Sequence, residues 1–168
     1  MFDTFGVDIK GIGWPMVTVY LLADVGSVAG GWLSSSLLGK GWTANAARKT
    51  AMLICAICII PVTMAPNVHG KWIAVLLIGI AAAAHQGFSA NIFTTVSDMF
   101  PRKAVASIVG IGGFAGGMGG FILNNAAGWL KQNTGGYTIM FLIAGFTYLV
   151  ALLIMHLIVP KLEPARIA

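Results

Sequence analysis

Asp24 stands near the middle of a long apolar run, VYLLADVGSVAGGWL, and is the only acid so placed in any such run of the chain. Water is scarce at that depth, so the charged form of a carboxyl group is disfavoured, which suits it to take up and release a proton. Tyr20, Asp24, Ser27, Gly31 and Ser35 recur at i, i+4, i+7, i+11 and i+15, the spacing of one helical face. The same spacing also permits a second role, an acid held by tyrosine or serine partners. Both readings make Asp24 the candidate for proton coupling, or else a structural acid.

A second collection of polar groups lies in AAAAHQGFSANIFTTVSDMFPRK, residues 81 to 103. On a helical wheel His85, Ser89, Phe93, Ser97 and, at the margin, Gln86 fall within an arc of about 120 degrees, with Asn91, Thr94 and Asp98 opposite. Polar groups at membrane depth face protein or a water-filled cavity. The first stripe, hydrogen-bonding groups with an aromatic ring among them, suits a polyhydroxylated solute. Its alternative role is bonding between helices. The second stripe reads as interhelical glue, with Asp98 near enough to the end of its run to pair with Arg102 or Lys103.

Other patterns point to packing. Gly110, Gly113, Gly117 and Gly120 share one face with Asn124, a smooth surface that lets another helix approach closely. A phosphate-cradling loop needs a preceding strand, which this segment lacks. Gly26 and Gly30 form a G-x-x-x-G pair of the kind that arises by chance in glycine-rich membrane sequence. Cys55 and Cys58 have C-x-x-C spacing but lie within an apolar run, without the electropositive, water-accessible setting that makes a thiolate. No metal set and no cofactor motif is read. His85 has no second histidine at metal spacing, and no G-x-S-x-G motif accompanies it, which argues against a membrane-embedded enzyme.

These groups must be positioned by helices in lipid. The chain has 168 residues, 58% hydrophobic and 9% charged, against roughly 25% charged in a soluble domain. Apolar runs near the length of about 20 residues needed to cross a bilayer as helix lie at 12–38, 50–65, 72–100, 104–130 and 137–159. The expected fold is therefore all-α, a polytopic bundle of five transmembrane helices forming a single membrane domain over 1–168. The connections fall in LGKGWTANAARK, APNVHGK, FPRK and KQNTGGY, where Gly, Pro, Asn and charge gather. Pro101 suits the start of the fourth helix, so the third ends near Phe100. The opening MFDTFGVDIK lacks the basic start of a cleavable signal.

The net charge of +5 would suggest nucleic acid in a soluble protein. In this chain the basic residues sit in the loops, so no nucleic-acid partner is expected. Lys40, Arg48, Lys49, Arg102, Lys103, Lys161 and Arg166 fall on one side, and Lys10, Lys71 and Lys131 on the other. Basic residues favour the cytoplasmic side, which predicts a cytoplasmic C-terminus and an outside N-terminus.

The run YLLADVGSVAGGWLSSSLLGKGW, followed by ARK and then HQGFSANIFTTVSDMFPRKAVASIVGIGGFAGGMGG, resembles the C-terminal half of a major facilitator superfamily transporter. More narrowly, it is similar to the anion:cation symporter branch and its hexuronate transporters. Gly31, Leu33, Lys40 and Gly41 stand where that superfamily's cytoplasmic loop motif repeats, with Ser35 where the motif usually has Asp. The resemblance implies twelve spans in two six-helix halves, of which these five would be spans eight to twelve. It also implies that Tyr20, His85, Gln86, Ser89 and Phe93 line a sugar-acid cavity. The glycine face of the fourth span would pack against helices of the other half. The family's cationic residues for the substrate carboxylate lie largely in the N-terminal half, and the five spans hold no mid-membrane Arg or Lys to replace them.

The expected function is thus a fragment of a secondary active symporter, moving a small organic anion with a proton or another cation and inactive without its missing N-terminal half. A different expectation is a small membrane scaffold whose glycine face receives a partner helical protein.

Overall fold

The computed structural model describes residues 11–165, and among them all regular structure is helical. Helix α1 runs Gly13–Gly39, α2 runs Ala44–Ile59 and continues as a 3-10 segment Ile60–Asn67, α3 runs Lys71–Met99, α4 runs Arg102–Thr134 and α5 runs Thr138–Ile158. Counting α2 with its continuation, five helices among the described residues are long and apolar enough to cross a membrane. The chain is an all-α membrane bundle. Lys10 and Arg166, used above for orientation, lie outside the described residues, as does the opening segment MFDTFGVDIK.

Local chemistry sets the helix ends. At the end of α1, Gly41 adopts a φ of 85°, and its amide donates to Leu38 O while that of Trp42 reaches back to Leu37 O. That is the paired bond of a left-handed glycine cap. Thr43 then opens α2 by accepting from the Ala46 amide at 3.2 Å, so this helix begins at Ala44 rather than at Thr50, and the charged residues of its first turns are helical. Pro61 has no amide hydrogen to continue the α pattern, and the chain tightens to 3-10 geometry through Pro66. Phe100 closes α3, and the extended Pro101 precedes α4.

Helix α3 is the centre of the bundle. Against one side lies α1, at a crossing made by small residues: a Cβ added at Gly26 would fall on Ala83 O, and one added at Gly30 on the Cα of Gly87. Backbone meets backbone there, which is the usual service of small residues between membrane helices. The G-x-x-x-G pair that sequence statistics would dismiss is therefore the principal helix contact of the chain. Behind α3, a core of Met52, Cys55, Ala56, Ile59, Val62, Ala84, Phe88 and Leu152 joins α2, its continuation and α5. A Cβ at Gly87 would also stand 3.0 Å from Cys55 Sγ, so this thiol is a packing group where α1, α2 and α3 meet.

Helix α4 differs from the rest. It has no buried residue and meets chiefly its chain neighbours α3 and α5. Nothing lies within 4 Å of where a Cβ would stand at Gly110, Gly113, Gly117 or Gly120, so no described element covers the glycine face. At the α3 and α4 ends away from Pro101, Lys71 Nζ stands 5.6 Å from the Trp72 ring and Lys131 Nζ 5.1 Å from the Tyr137 ring, cation and aromatic pairs suited to a membrane boundary.

Candidate functional site

The face of α1 proposed for chemistry is open. Tyr20 and Asp24 are exposed, Ser35 is exposed and Ser27 half-buried. Among the described residues Asp24 has no hydrogen-bond or ion-pair partner, and neither a tyrosine nor a serine of these helices holds it. Asp24 instead lines, with Val25, Val28, Ala29 and Trp32, an open hollow of about 500 Å³. A carboxylate at mid-span costs about 2.5–3.5 kcal/mol or more against lipid. This face therefore requires water or another protein surface over it.

On α3, Gln86 and Phe93 are exposed and Ser89 is half-buried, while His85 does two things at once. Its ring is exposed on one side, and its Nδ1 lies 2.6 Å from the hydroxyl of Tyr148 on α5. Tyr148 in turn sets its ring edge-on to Phe88, with centroids 5.2 Å apart. Of the two uses weighed for His85, the interhelical bond is present, and the residue is exposed besides. Tyr148 escaped sequence reading because it and Thr147 are the only hydroxyl side chains in FLIAGFTYLVALLIM, too few to mark a polar stripe. No hydrogen bond or ion pair among the described residues joins the α1 face to the α3 face.

The opposite side of α3 grips its neighbours. Asn91 is fully buried, and its Nδ2 donates to Gly30 O at 3.0 Å and to Gly87 O at 2.9 Å. It thereby pins the register of the glycine crossing. Thr94 is spent on its own helix, donating to Ala90 O. Asp98 does not pair with Arg102 or Lys103 as expected. Pro101 ends α3 and sends those two residues into another helix, and the carboxylate instead accepts from Arg48 Nε of α2 at 2.9 Å. Arg48 also donates through Nη1 to Ser34 Oγ of α1 at 2.7 Å. It is 6% exposed, so its charge is desolvated and needs both partners.

The adjacent Lys49 points the other way. Its Nζ donates to Val159 O at 2.7 Å and Pro160 O at 2.8 Å, and lies 3.2 Å from His156 Nδ1. A cation on the terminal carbonyls of α5 meets the negative end of that helix dipole. The segment beyond α5 then doubles back, with the Leu162 amide on Asn45 Oδ1 and the Ala165 amide on Met99 O. One turn of α2 thus ties four helices together at a single end of the bundle. Neither Arg48 nor Ser34 was given a bonding role from sequence, where ARK counted as loop-side basic charge and as part of the family resemblance.

Among the described residues no group of three or more His, Cys, Asp or Glu side chains could hold a metal ion. The features in hand are a mid-span acid with no partner among the described residues, a polar face on α3, and a charge clasp at one bundle end. Relatives include the D-galactonate transporter of Escherichia coli O6:H1, 28% identical over 77% of this chain and 30% of that protein. The hexuronate transporter of Escherichia coli K12 is 28% identical over 92% of this chain and 36% of its own length. A Bacillus subtilis protein described as uncharacterized transporter YybO is 26% identical over 89% of the chain and 35% of its own length. The chain spans about a third of the length of the curated relatives it matches. A family model matches residues 1–168, the full length of these five membrane helices, and the chain belongs to the Major Facilitator Superfamily.

Proposed function

We propose that this chain supplies part of a secondary active transporter that moves a small organic anion of the sugar-acid class together with a proton or another cation. The observation that bears most weight is Asp24, an acid at mid-span on an open face with no partner among the described residues. The printed names of the relatives, D-galactonate transporter and hexuronate transporter, suggest the solute class. In this reading Tyr20, His85, Gln86, Ser89 and Phe93 line the solute path. The five helices are the later spans of a two-half assembly, with the C-terminal side in the cytoplasm of a bacterial-type inner membrane. Helices of the other half cover Gly110, Gly113, Gly117 and Gly120 on α4. Alternating access rocks one repeat against another around a midplane site, so these five helices by themselves carry no uptake.

The test is uptake of galacturonate, glucuronate or galactonate by proteoliposomes holding the complete transporter that contains these helices. Proton-coupled uptake alkalinises the external medium, and Asp24→Asn abolishes that alkalinisation. Uptake and proton movement both unchanged in Asp24→Asn remove this acid from the mechanism. The uncovered glycine face of α4 favours a second reading, a scaffold that receives a separately encoded helical partner. Purification of one defined partner whose loss leaves uptake of all three sugar acids intact would favour that reading.

A further inference from the structure

The pair His85 and Tyr148 decides which kind of atom a solute meets. Tyr148 is seated by its edge-on contact with Phe88, itself 6% exposed in the core, and this fixes where the phenolic oxygen lies. That oxygen stands 2.6 Å from His85 Nδ1, so one of the two groups donates to the other. Neutral imidazole has one donor nitrogen and one acceptor, and the phenol has one hydrogen to give. If Nδ1 carried the hydrogen, the phenolic hydrogen would need a different acceptor, and Tyr148 makes no other hydrogen bond among the described residues. The half-buried phenolic hydrogen would then have no protein acceptor among the described residues. If the phenol donates, the shared bond satisfies the interior side and the imidazole hydrogen sits on Nε2, remote from Tyr148. His85 is exposed beside the exposed Gln86, and its Nε2 has no hydrogen-bond partner among the described residues.

We infer that Tyr148 is a positioning residue that holds His85 as the neutral tautomer with hydrogen on Nε2. The α3 face then offers a solute a hydrogen-bond donor, the group that recognises carboxylate and hydroxyl oxygens, rather than an acceptor. The tautomer stands on the structure alone, whereas its use on a solute rests on the transport reading of the α3 face.

Imidazole nitrogen NMR of the histidine-labelled chain in lipid nanodiscs reads the tautomer directly, with the His85 signals identified by their loss in His85→Gln. The expected spectrum shows hydrogen on Nε2. Tyr148→Phe keeps the ring and its contact with Phe88 while removing the hydroxyl, and should release His85 to a mixture of tautomers. Hydrogen on Nδ1 in the unaltered chain overturns the inference, as does a tautomer unchanged by Tyr148→Phe. In the complete transporter, Tyr148→Phe should raise KM for a sugar acid about tenfold with the maximal rate little changed, the effect of misplacing one donor. A KM altered by His85→Ala but not by Tyr148→Phe overturns the positioning role. A KM indifferent to both overturns the solute-facing half of the inference and counts against the α3 face as solute path, while the spectrum still reports the tautomer.

Discussion

Replacing Gly30 by alanine should damage the bundle, whereas the same change at Gly113 should not. At Gly30 the added methyl would fall on the Cα of Gly87, and backbone cannot rotate away as a side-chain end can. Helices α1 and α3 must separate, an overpacking cost of about 1–3 kcal/mol. Separation also stretches the 3.0 Å bond from Asn91 Nδ2 to Gly30 O, forfeiting about 1 kcal/mol more. Alanine returns about 0.5–1 kcal/mol as the better helix former. The net loss is about 1–3.5 kcal/mol, enough to lower the folded-to-unfolded ratio by roughly fivefold or more. At Gly113 nothing lies within 4 Å, and only the favourable helix term of about 0.5–1 kcal/mol remains. Reversible unfolding of the chain in mixed micelles, followed by far-UV circular dichroism, measures both. The reasoning fails if Gly30→Ala unfolds at the same denaturant fraction as the parent, or if Gly113→Ala costs as much as Gly30→Ala.

Three further outcomes are expected. Arg48→Ala should destabilise by about 2–3 kcal/mol, less than the roughly 3–5 of a fully buried pair because the Asp98 side chain is 30% exposed, and adding Asp98→Ala should recover part of the loss in a double-mutant cycle. Lys49→Ala should free the segment after α5 by removing its bonds to Val159 O and Pro160 O, seen as faster amide exchange and earlier proteolysis there, with Lys49→Arg intermediate. In the complete transporter Gly117→Leu should abolish assembly or uptake if another helix covers α4, yet leave the isolated chain's unfolding unchanged within about 0.5 kcal/mol.

Helix existence was legible because apolar length, Pro101 and the loop glycines act locally. What each face meets was not, because a wheel shows which residues share a side and nothing of what stands opposite. The chain has 22 glycines, and small-residue spacing alone ranked α4 above α1. The α1 pair proved to be the contact because Ala83 and Gly87, far along the chain, present a matching small surface. Asp98 misled for a related reason: two cations stood within five residues of it, while its partner is 50 positions away. Tyr148 needed the same long-range knowledge, since only the fold brings it to His85. Asp24 and the His85 stripe were legible as faces, and their openness in the bundle is a property of helix placement.

The clasp on α2 has a consequence for how the protein is made. Lys49 precedes Val159 by 110 positions, so at about 5–20 residues per second its acceptors leave the ribosome roughly 5–20 s after it does. Throughout that interval α2 sits in the bilayer with an ammonium group that water or lipid phosphate must satisfy. The first three helices can lock through Arg48, Ser34 and Asp98 while translation is still under way, but α5 and the segment behind it can join only once synthesis has passed Pro160.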